Sequence, residues 1–178
     1  PSLDRPDLLY SKFSPLPIPN LSLEENILDA IAKKDHLLYA PYQNFSYVIK
    51  FLREAAIDPK VKSIKITIYR LSKISHVASA LINAAKNGKK VLVQIELQAR
   101  FDEQNNITFA GQLEAAGVQL IFGVPGLKVH SKICVIEREG KKKNLRFGFI
   151  STGNFNESTA KIYTDYTLFT ADQKILKE

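Results

Sequence analysis

The sequence predicts an α/β domain, in which a mixed β-sheet is flanked by helices. From about residue 21 to residue 122, segments that alternate apolar and polar residues like strands are separated by segments with apolar residues at helical spacing. Two more strand-like segments then follow each other across a short basic turn, which is typical of an antiparallel hairpin. Alternating helices and strands followed by a hairpin predict a sheet with both parallel and antiparallel pairs.

The chain begins with a proline-rich segment. Residues 1–20 hold five of the eight prolines, so we expect an extended lead-in or linker from a preceding domain, with the folded domain over residues 21–178. Ser22 and Glu25 have the spacing of a capping box, which predicts a helix that continues to about Lys34.

The remaining elements follow in order. They are a strand over 36–42, a helix from Asn44 or Ser46 to Asp58, a strand over 63–69, a helix from Ser75 to Gly88, a strand over 90–97, a helix over 107–116, strands over 118–122, 133–136 and 145–150, a short helical segment near 157–161, a strand over 163–169 and the start of a helix from Ala171. His36 follows a charged turn and is expected at the surface. Arg70 and Arg100 come after strands, and loops at strand carboxyl ends are where α/β sheets place ligands.

The composition indicates which partners to expect. The net charge of +7 favours anions, among them nucleic acid, phosphorylated small molecules, polyphosphate or a membrane surface. The chain has no apolar run long enough to cross a membrane, and it starts at Pro1 without any methionine, so we expect a piece of a longer protein. The single cysteine, Cys134, excludes an internal disulfide and lies in an apolar run that predicts burial. Lys141–Lys143 are expected in a solvated hairpin tip.

His130 and Lys132 are the leading candidates for chemistry. Residues i and i+2 of a strand share a face, so an imidazole nucleophile and a cation would project together. The alternative is a structural histidine near a strand start. Ser151–Asn156 form a turn of hydroxyls, amides and backbone N–H groups that suits phosphate oxygens, or else a plain turn. Nucleotide-binding glycine loops and cysteine–histidine metal clusters are absent from the sequence.

The pattern His130, Lys132, Glu137 and Ser151–Asn154 resembles the phospholipase D superfamily signature, with a glutamate in place of the aspartate and a longer spacing to the turn. Members of that superfamily form a phosphohistidine and normally use two such motifs. A single motif implies either a truncated chain or a dimer.

A longer set of segments resembles bacterial polyphosphate kinase, specifically the first of its two phospholipase-D-like carboxyl-terminal domains. These segments are 37–42, 64–70, 96–103, 125–132, 152–157 and 163–172. The resemblance implies reversible transfer of the γ-phosphoryl group of ATP to a polyphosphate chain through a phosphohistidine at His130. Lys132 and Asn154 would hold the oxygens of the transferring group.

The resemblance also implies roles for three other residues. Arg70 and Arg100 match arginines of a magnesium–phosphate site, and Tyr163 matches a tyrosine near the nucleotide. A guanidinium carries only donors, so we expect both arginines to face phosphate oxygens that Mg²⁺ also touches. For Tyr163 a place in the core of a strand remains open.

The implied partners are ATP or ADP, polyphosphate and the remaining domains of the same enzyme. The resemblance further implies a homo-oligomer at full length, a cytoplasmic or peripheral inner-membrane location, no nucleic-acid partner and little activity in the isolated segment. Two alternatives stay open, namely a dimeric phospholipase-D-like nuclease or phosphodiesterase and a non-catalytic phosphate-binding module.

Overall fold

A computed structural model of the chain describes residues 5–8, 11, 13–72, 74–96, 103–124, 126–127, 129–141 and 145–177. The strands are β1 (His36–Ala40), β2 (Val61–Ile68), β3 (Lys90–Ile95), β4 (Gln119–Phe122), β5 (Ile133–Arg138), β6 (Leu145–Ser151) and β7 (Asp165–Thr170). The helices are α1 (Ile27–Lys33), α2 (Ser46–Ile57), α3 (His76–Lys86) and α4 (Glu103–Ala115). Short 3-10 turns occupy Pro6–Leu8, Thr159–Lys161 and Ile175–Lys177.

The strands form one seven-stranded mixed sheet in the order β1-β7-β6-β5-β2-β3-β4. β2, β3 and β4 pair in parallel, whereas β5 pairs antiparallel to β2 and β6, and β7 pairs antiparallel to β6 and β1. The prediction of a mixed sheet flanked by helices is confirmed. Because β5 runs against β2, the amino end of β5 lies beside the carboxyl end of β2.

The core lies between the sheet and a row of helices. The helices pack side by side in chain order, with α1 against β6 and β7, α2 against β2, α3 against β3 and α4 against β4. Phe51 of α2 meets the ring of Phe149 of β6 edge to face, with 5.1 Å between centroids. Alternate strand residues such as Cys134 and Ile136 face this core and are fully buried. The predicted burial of Cys134 is confirmed, and burial raises the pKa of its thiol.

Two predictions about the first elements are wrong. Ser22 does not cap α1. The side chain of Asn26 does, by accepting a hydrogen bond from Asp29 N at 2.8 Å. Ser22 and Glu25 instead close a separate turn, in which Ser22 N donates to the Glu25 carboxylate at 2.7 Å. His36 is 5% exposed rather than at the surface, because β1 pairs it with Phe169 at the sheet edge.

Other boundaries also differ from the prediction. α4 begins at Glu103, one turn earlier than expected, and the last strand begins at Asp165, so Tyr163 lies in the preceding loop. Within the lead-in, Ile18 is buried, and its N–H donates to the hydroxyl of Tyr47 at 3.1 Å. In the described part of the chain, no helix has the length and apolar character needed to cross a membrane.

Candidate active site

His130 and Lys132 are held in place by the strands on either side of β5. On one side, the Thr67 hydroxyl of β2 donates to Ser131 O at 2.7 Å and accepts from Ile133 N at 3.0 Å. On the other side, Ser151 N at the end of β6 donates to Lys132 O at 2.9 Å. The segment that carries both candidate residues is therefore fixed by hydrogen bonds at the centre of the sheet.

The two side chains lie together, as their i and i+2 spacing predicts. Lys132 Nζ lies 2.9 Å from His130 Nδ1 and donates to His130 O at 2.6 Å. His130 is exposed, whereas Lys132 is only 5% exposed. Burial lowers the pKa of the Lys132 ammonium, and the Asp165 carboxylate opposes that shift. The accessible imidazole of His130 thus contacts the largely buried ammonium of Lys132.

Tyr69 connects this pair to Arg70. Its ring meets the His130 ring edge to face, with 5.1 Å between centroids and 80° between planes. Lys132 Nζ and the guanidinium carbon of Arg70 each lie 5.5 Å from the same ring centroid. Cations at this distance from an aromatic centroid are attracted to its π-electrons. Arg70 is half-buried, so the structure brings one of the two predicted arginines to the His130 site.

Two buried polar side chains hold the surrounding loops. Glu96, directly after β3, accepts a hydrogen bond from Val129 N at 3.1 Å, next to His130. Asn106 of α4 donates to Tyr69 O and to Glu96 O, at 3.0 Å each, and accepts from Leu71 N at 3.3 Å. Glu96 and Asn106 therefore connect the ends of β2 and β3 to the loop that precedes the nucleophile candidate.

The turn after β6 carries the third predicted site residue, Asn154. Phe155 anchors the turn in the core, with its ring 4.9 Å from that of Phe149. At Gly153, a Cβ would overlap the side chain of Asp165, so this position requires glycine for space. Asp165 also accepts a hydrogen bond from the Thr152 hydroxyl at 2.8 Å. Asn154 is half-buried, and its Oδ1 is buried without a hydrogen-bond partner, which leaves an acceptor for a donor group.

The other three predicted residues are Tyr163, Arg100 and Glu137. Tyr163 is 62% exposed in the loop before β7, so it is not a core strand residue. Arg100 lies outside the described residues. Glu137 of the signature pattern is near the far end of β5, where it lies 3.6 Å from Arg146 Nε and 3.5 Å from the Ser63 hydroxyl. Its separation from His130 along the strand is roughly 20 Å.

A protein-built magnesium site does not fit these residues. Among the described residues, no group of three or more histidine, cysteine, aspartate or glutamate side chains could hold a metal ion. Arg70 offers only N–H donors, which bind phosphate oxygens and repel a cation. The chemistry of the site is therefore that of an anion-binding surface.

Sequence reasoning missed Tyr69, Glu96, Asn106, Glu157 and Asp165. Tyr69 and Glu96 stand at the carboxyl ends of β2 and β3, so the rule that singled out Arg70 could have found them. Asp165 and Glu157 lie within segments that carry the family resemblance, but no local pattern shows that they contact other loops. Asn106 had no sequence signal, because an asparagine near a helix start is most simply a surface residue.

Comparison with known proteins shows first which fold class the chain has. The fold is that of the phospholipase D family: the crystal structure of Nuc from Salmonella typhimurium matches with a TM-score of 0.62, covering 81% of this chain and 87% of that chain at 16% identity. The chain belongs to the polyphosphate kinase C-terminal domain 1 family, whose model matches residues 26–178. The resemblance drawn from the sequence is confirmed at this level.

The relatives in this family are much longer proteins. Polyphosphate kinase of Yersinia pestis is 54% identical over 86% of this chain but 22% of its own length, and that of Vibrio vulnificus is 46% identical over the whole chain and 25% of its own length. The crystal structure of polyphosphate kinase from Porphyromonas gingivalis matches 99% of this chain and 29% of that chain, with 40% identity and a TM-score of 0.83. The chain thus spans about a quarter of the relatives it matches.

Proposed function

We propose that this chain carries the phosphoryl-accepting histidine of a polyphosphate kinase, which transfers the γ-phosphoryl group of ATP reversibly to the end of a polyphosphate chain. The main support for this proposal is the contact between the exposed imidazole of His130 and the buried ammonium of Lys132, with 2.9 Å between Nδ1 and Nζ. Membership of the polyphosphate kinase family supports the choice of substrates.

In the first step, a ring nitrogen of His130 attacks the γ-phosphorus, an N–P bond forms, and the bond from phosphorus to the bridging oxygen breaks to release ADP. We assign the attack to Nε2, because Lys132 lies against Nδ1. In the second step, a terminal oxygen of polyphosphate attacks the same phosphorus and the N–P bond breaks, which restores the imidazole. The reverse sequence of steps makes ATP from ADP and polyphosphate.

Phosphoryl transfer spreads negative charge over the equatorial oxygens, so catalysis depends on positioned donors and cations. In our proposal Lys132 donates to one equatorial oxygen, and the amide nitrogen of Asn154 donates to another. Arg70, whose guanidinium carbon lies 5.5 Å from the Tyr69 ring, faces the phosphates of the nucleotide. Arg100 is proposed for the same task and Tyr163 for stacking on adenine.

Magnesium enters this proposal with the substrate, since Mg²⁺ binds ATP phosphate oxygens and would neutralise part of their charge. No step of the mechanism is assigned to it here, because the described side chains offer no set of ligands. We infer that other domains of a longer, homo-oligomeric polypeptide complete the site, and that the enzyme works where ATP is available, in the cytoplasm or at the inner membrane surface. We propose no nucleic-acid partner.

The test uses the intact polypeptide that contains this chain, incubated with ATP labelled in the γ-phosphoryl group. We expect one labelled histidine, recognised by a bond that is stable in base and labile in acid. His130→Ala should abolish the label. His76→Ala, which changes an exposed histidine at the start of α3, should retain it. Retention of the label in His130→Ala would show that the nucleophile is a different residue.

A further inference from the structure

The carboxylate of Glu157 connects two loops that are far apart in sequence. Its Oε2 accepts a hydrogen bond from the Ser72 hydroxyl at 2.5 Å, and its Oε1 accepts from His76 N at 2.7 Å and Val77 N at 3.1 Å. Ser72 is only 6% exposed. One side chain thus joins the turn after β6 to the loop after β2 and to the first turn of α3.

These loops lie on either side of His130. In the sheet, β6 and β2 are the two neighbours of β5, so they stand about 10 Å apart with the start of β5 between them. Arg70 precedes Ser72 by two residues, and Asn154 precedes Glu157 by three. The carboxylate therefore fixes the loop with Arg70 relative to the loop with Asn154, across the strand that begins just after Lys132.

We propose that Glu157 is a positioning residue that sets the separation of Arg70 and Asn154 around the phosphoryl group on His130. The proposal rests on the function proposed above. Both side chains must meet oxygens of one small group, and a misplacement of about 1 Å can cost 10²-fold in rate. Neither loop is held to the other by the hydrogen bonds of the sheet, since β6 and β2 are not paired.

A simpler role for Glu157 would be to stabilise the start of α3, because carboxylates favour helix N-termini. The chain offers a matched control for this role. Ser75 is the N-cap of the same helix, and its hydroxyl accepts from Ala78 N at 3.1 Å without contacting the turn after β6. Ser75→Ala weakens the helix start alone, whereas Glu157→Ala removes the acceptors of both the helix start and the connection between loops.

Ser72→Ala tests the connection between the loops separately from the stabilisation of the start of α3. It removes the bond to Oε2, together with the 2.8 Å contact from the same hydroxyl to Ile74 O within the loop, and leaves the bonds from His76 N and Val77 N to Oε1. The connection between the loops is then weakened while the helix start keeps its acceptor. This variant also tests the proposal if Glu157→Ala does not fold.

The experiment measures the single-turnover rate of His130 labelling, the KM for ATP and the melting temperature in the intact polypeptide. We expect Glu157→Ala to lower the labelling rate 10- to 100-fold, Ser72→Ala to lower it 3- to 10-fold, and Ser75→Ala to change it less than 2-fold despite a lower melting temperature. The double variant Ser72→Ala/Glu157→Ala should be no slower than Glu157→Ala, because both changes remove the same connection.

The inference is overturned if Ser72→Ala labels at the wild-type rate, or if Glu157→Ala and Ser75→Ala lose equal activity for equal loss of melting temperature. Such a result leaves the proposed function intact as long as His130→Ala abolishes labelling. Failure of the proposed function gives a different result, namely a label that persists in His130→Ala.

Discussion

Gly153 provides a test of the turn that positions Asn154. A Cβ at this residue would lie within 3 Å of three side-chain atoms of Asp165, Cβ, Cγ and Oδ2. The requirement for glycine comes from space, so Gly153→Ala must displace the Asp165 side chain or the turn itself. Forcing an extra methyl group into a packed site costs about 1–3 kcal/mol.

Displacement of Asp165 also strains its hydrogen bond from the Thr152 hydroxyl, which is 2.8 Å long. A hydrogen bond to a charged group contributes about 1.5–3 kcal/mol. Since the bond need not break completely, we expect a total loss of about 2–4 kcal/mol in the free energy of unfolding, or roughly 4–16 °C in melting temperature for a chain of this size.

The assay is urea unfolding of the chain with Gly153→Ala, beside Gly111→Ala as a matched control. Gly111 lies in α4, and a Cβ there would meet nothing within 4 Å. Alanine is favoured over glycine within a helix by about 0.5–1 kcal/mol, so the control should be more stable than wild type. The reasoning is refuted if Gly153→Ala unfolds within about 0.5 kcal/mol of wild type. In the intact polypeptide, the same change should slow His130 labelling, because Asn154 is the next residue.

Three further predictions follow from the site and the core. Lys132→Gln should lower kcat by about 10²–10³-fold, which is the usual cost of losing one donor to a developing anion. Lys161→Gln, at an exposed lysine, should keep the wild-type kcat. Equal kcat values in the two variants would contradict the role proposed for Lys132. Burial lowers the pKa of His36, so its contribution to the free energy of unfolding should be complete above the ordinary histidine pKa. It should fall as the pH drops below that value, by at most about 1.4 kcal/mol per pH unit. Urea unfolding at a series of pH values should show that this pH dependence diminishes in His36→Gln and persists in His76→Gln. Asn106→Leu should lower the free energy of unfolding by about 3–9 kcal/mol, since three backbone groups, two buried and one partly buried, lose their partner at about 1–3 kcal/mol each. Chemical unfolding measures this loss, and a value under about 1 kcal/mol would show that water replaces the amide.

Local sequence patterns predicted the elements of the fold because most of them depend on local signals. The alternation of β2 and the helical spacing of α3 follow the burial pattern directly, and Ser75 caps α3 as expected. The start of α1 was missed because Asn26 caps the helix in place of Ser22, and because a distant residue supports the same turn. The Glu54 carboxylate of α2 accepts hydrogen bonds from Ile27 N at 2.8 Å and Leu28 N at 3.4 Å. A capping pattern at Ser22 cannot compete with that contact.

Some contacts of the candidate site could likewise be predicted from local sequence patterns, and others could not. The His130 and Lys132 contact followed from strand geometry, because residues two apart share a face. The strand-end rule could have placed Tyr69 at the site, but the contacts of its ring with His130, Lys132 and Arg70 could not be predicted, because they depend on how β2 and β5 pair. Glu157 and Ser72 are 85 residues apart, and a contact of that separation depends on the order of strands in the sheet, which local patterns do not determine.

Strand direction explains why the site residues meet at all. Arg70 and Asn154 follow the carboxyl ends of β2 and β6, whereas His130 precedes the amino end of β5. In a purely parallel sheet, carboxyl and amino ends lie at opposite edges, so His130 would be separated from Arg70 by the length of a strand. Because β5 runs antiparallel to both of its neighbours, its amino end lies beside their carboxyl ends. The antiparallel direction of β5 relative to β2 and β6 is therefore the feature that assembles the site.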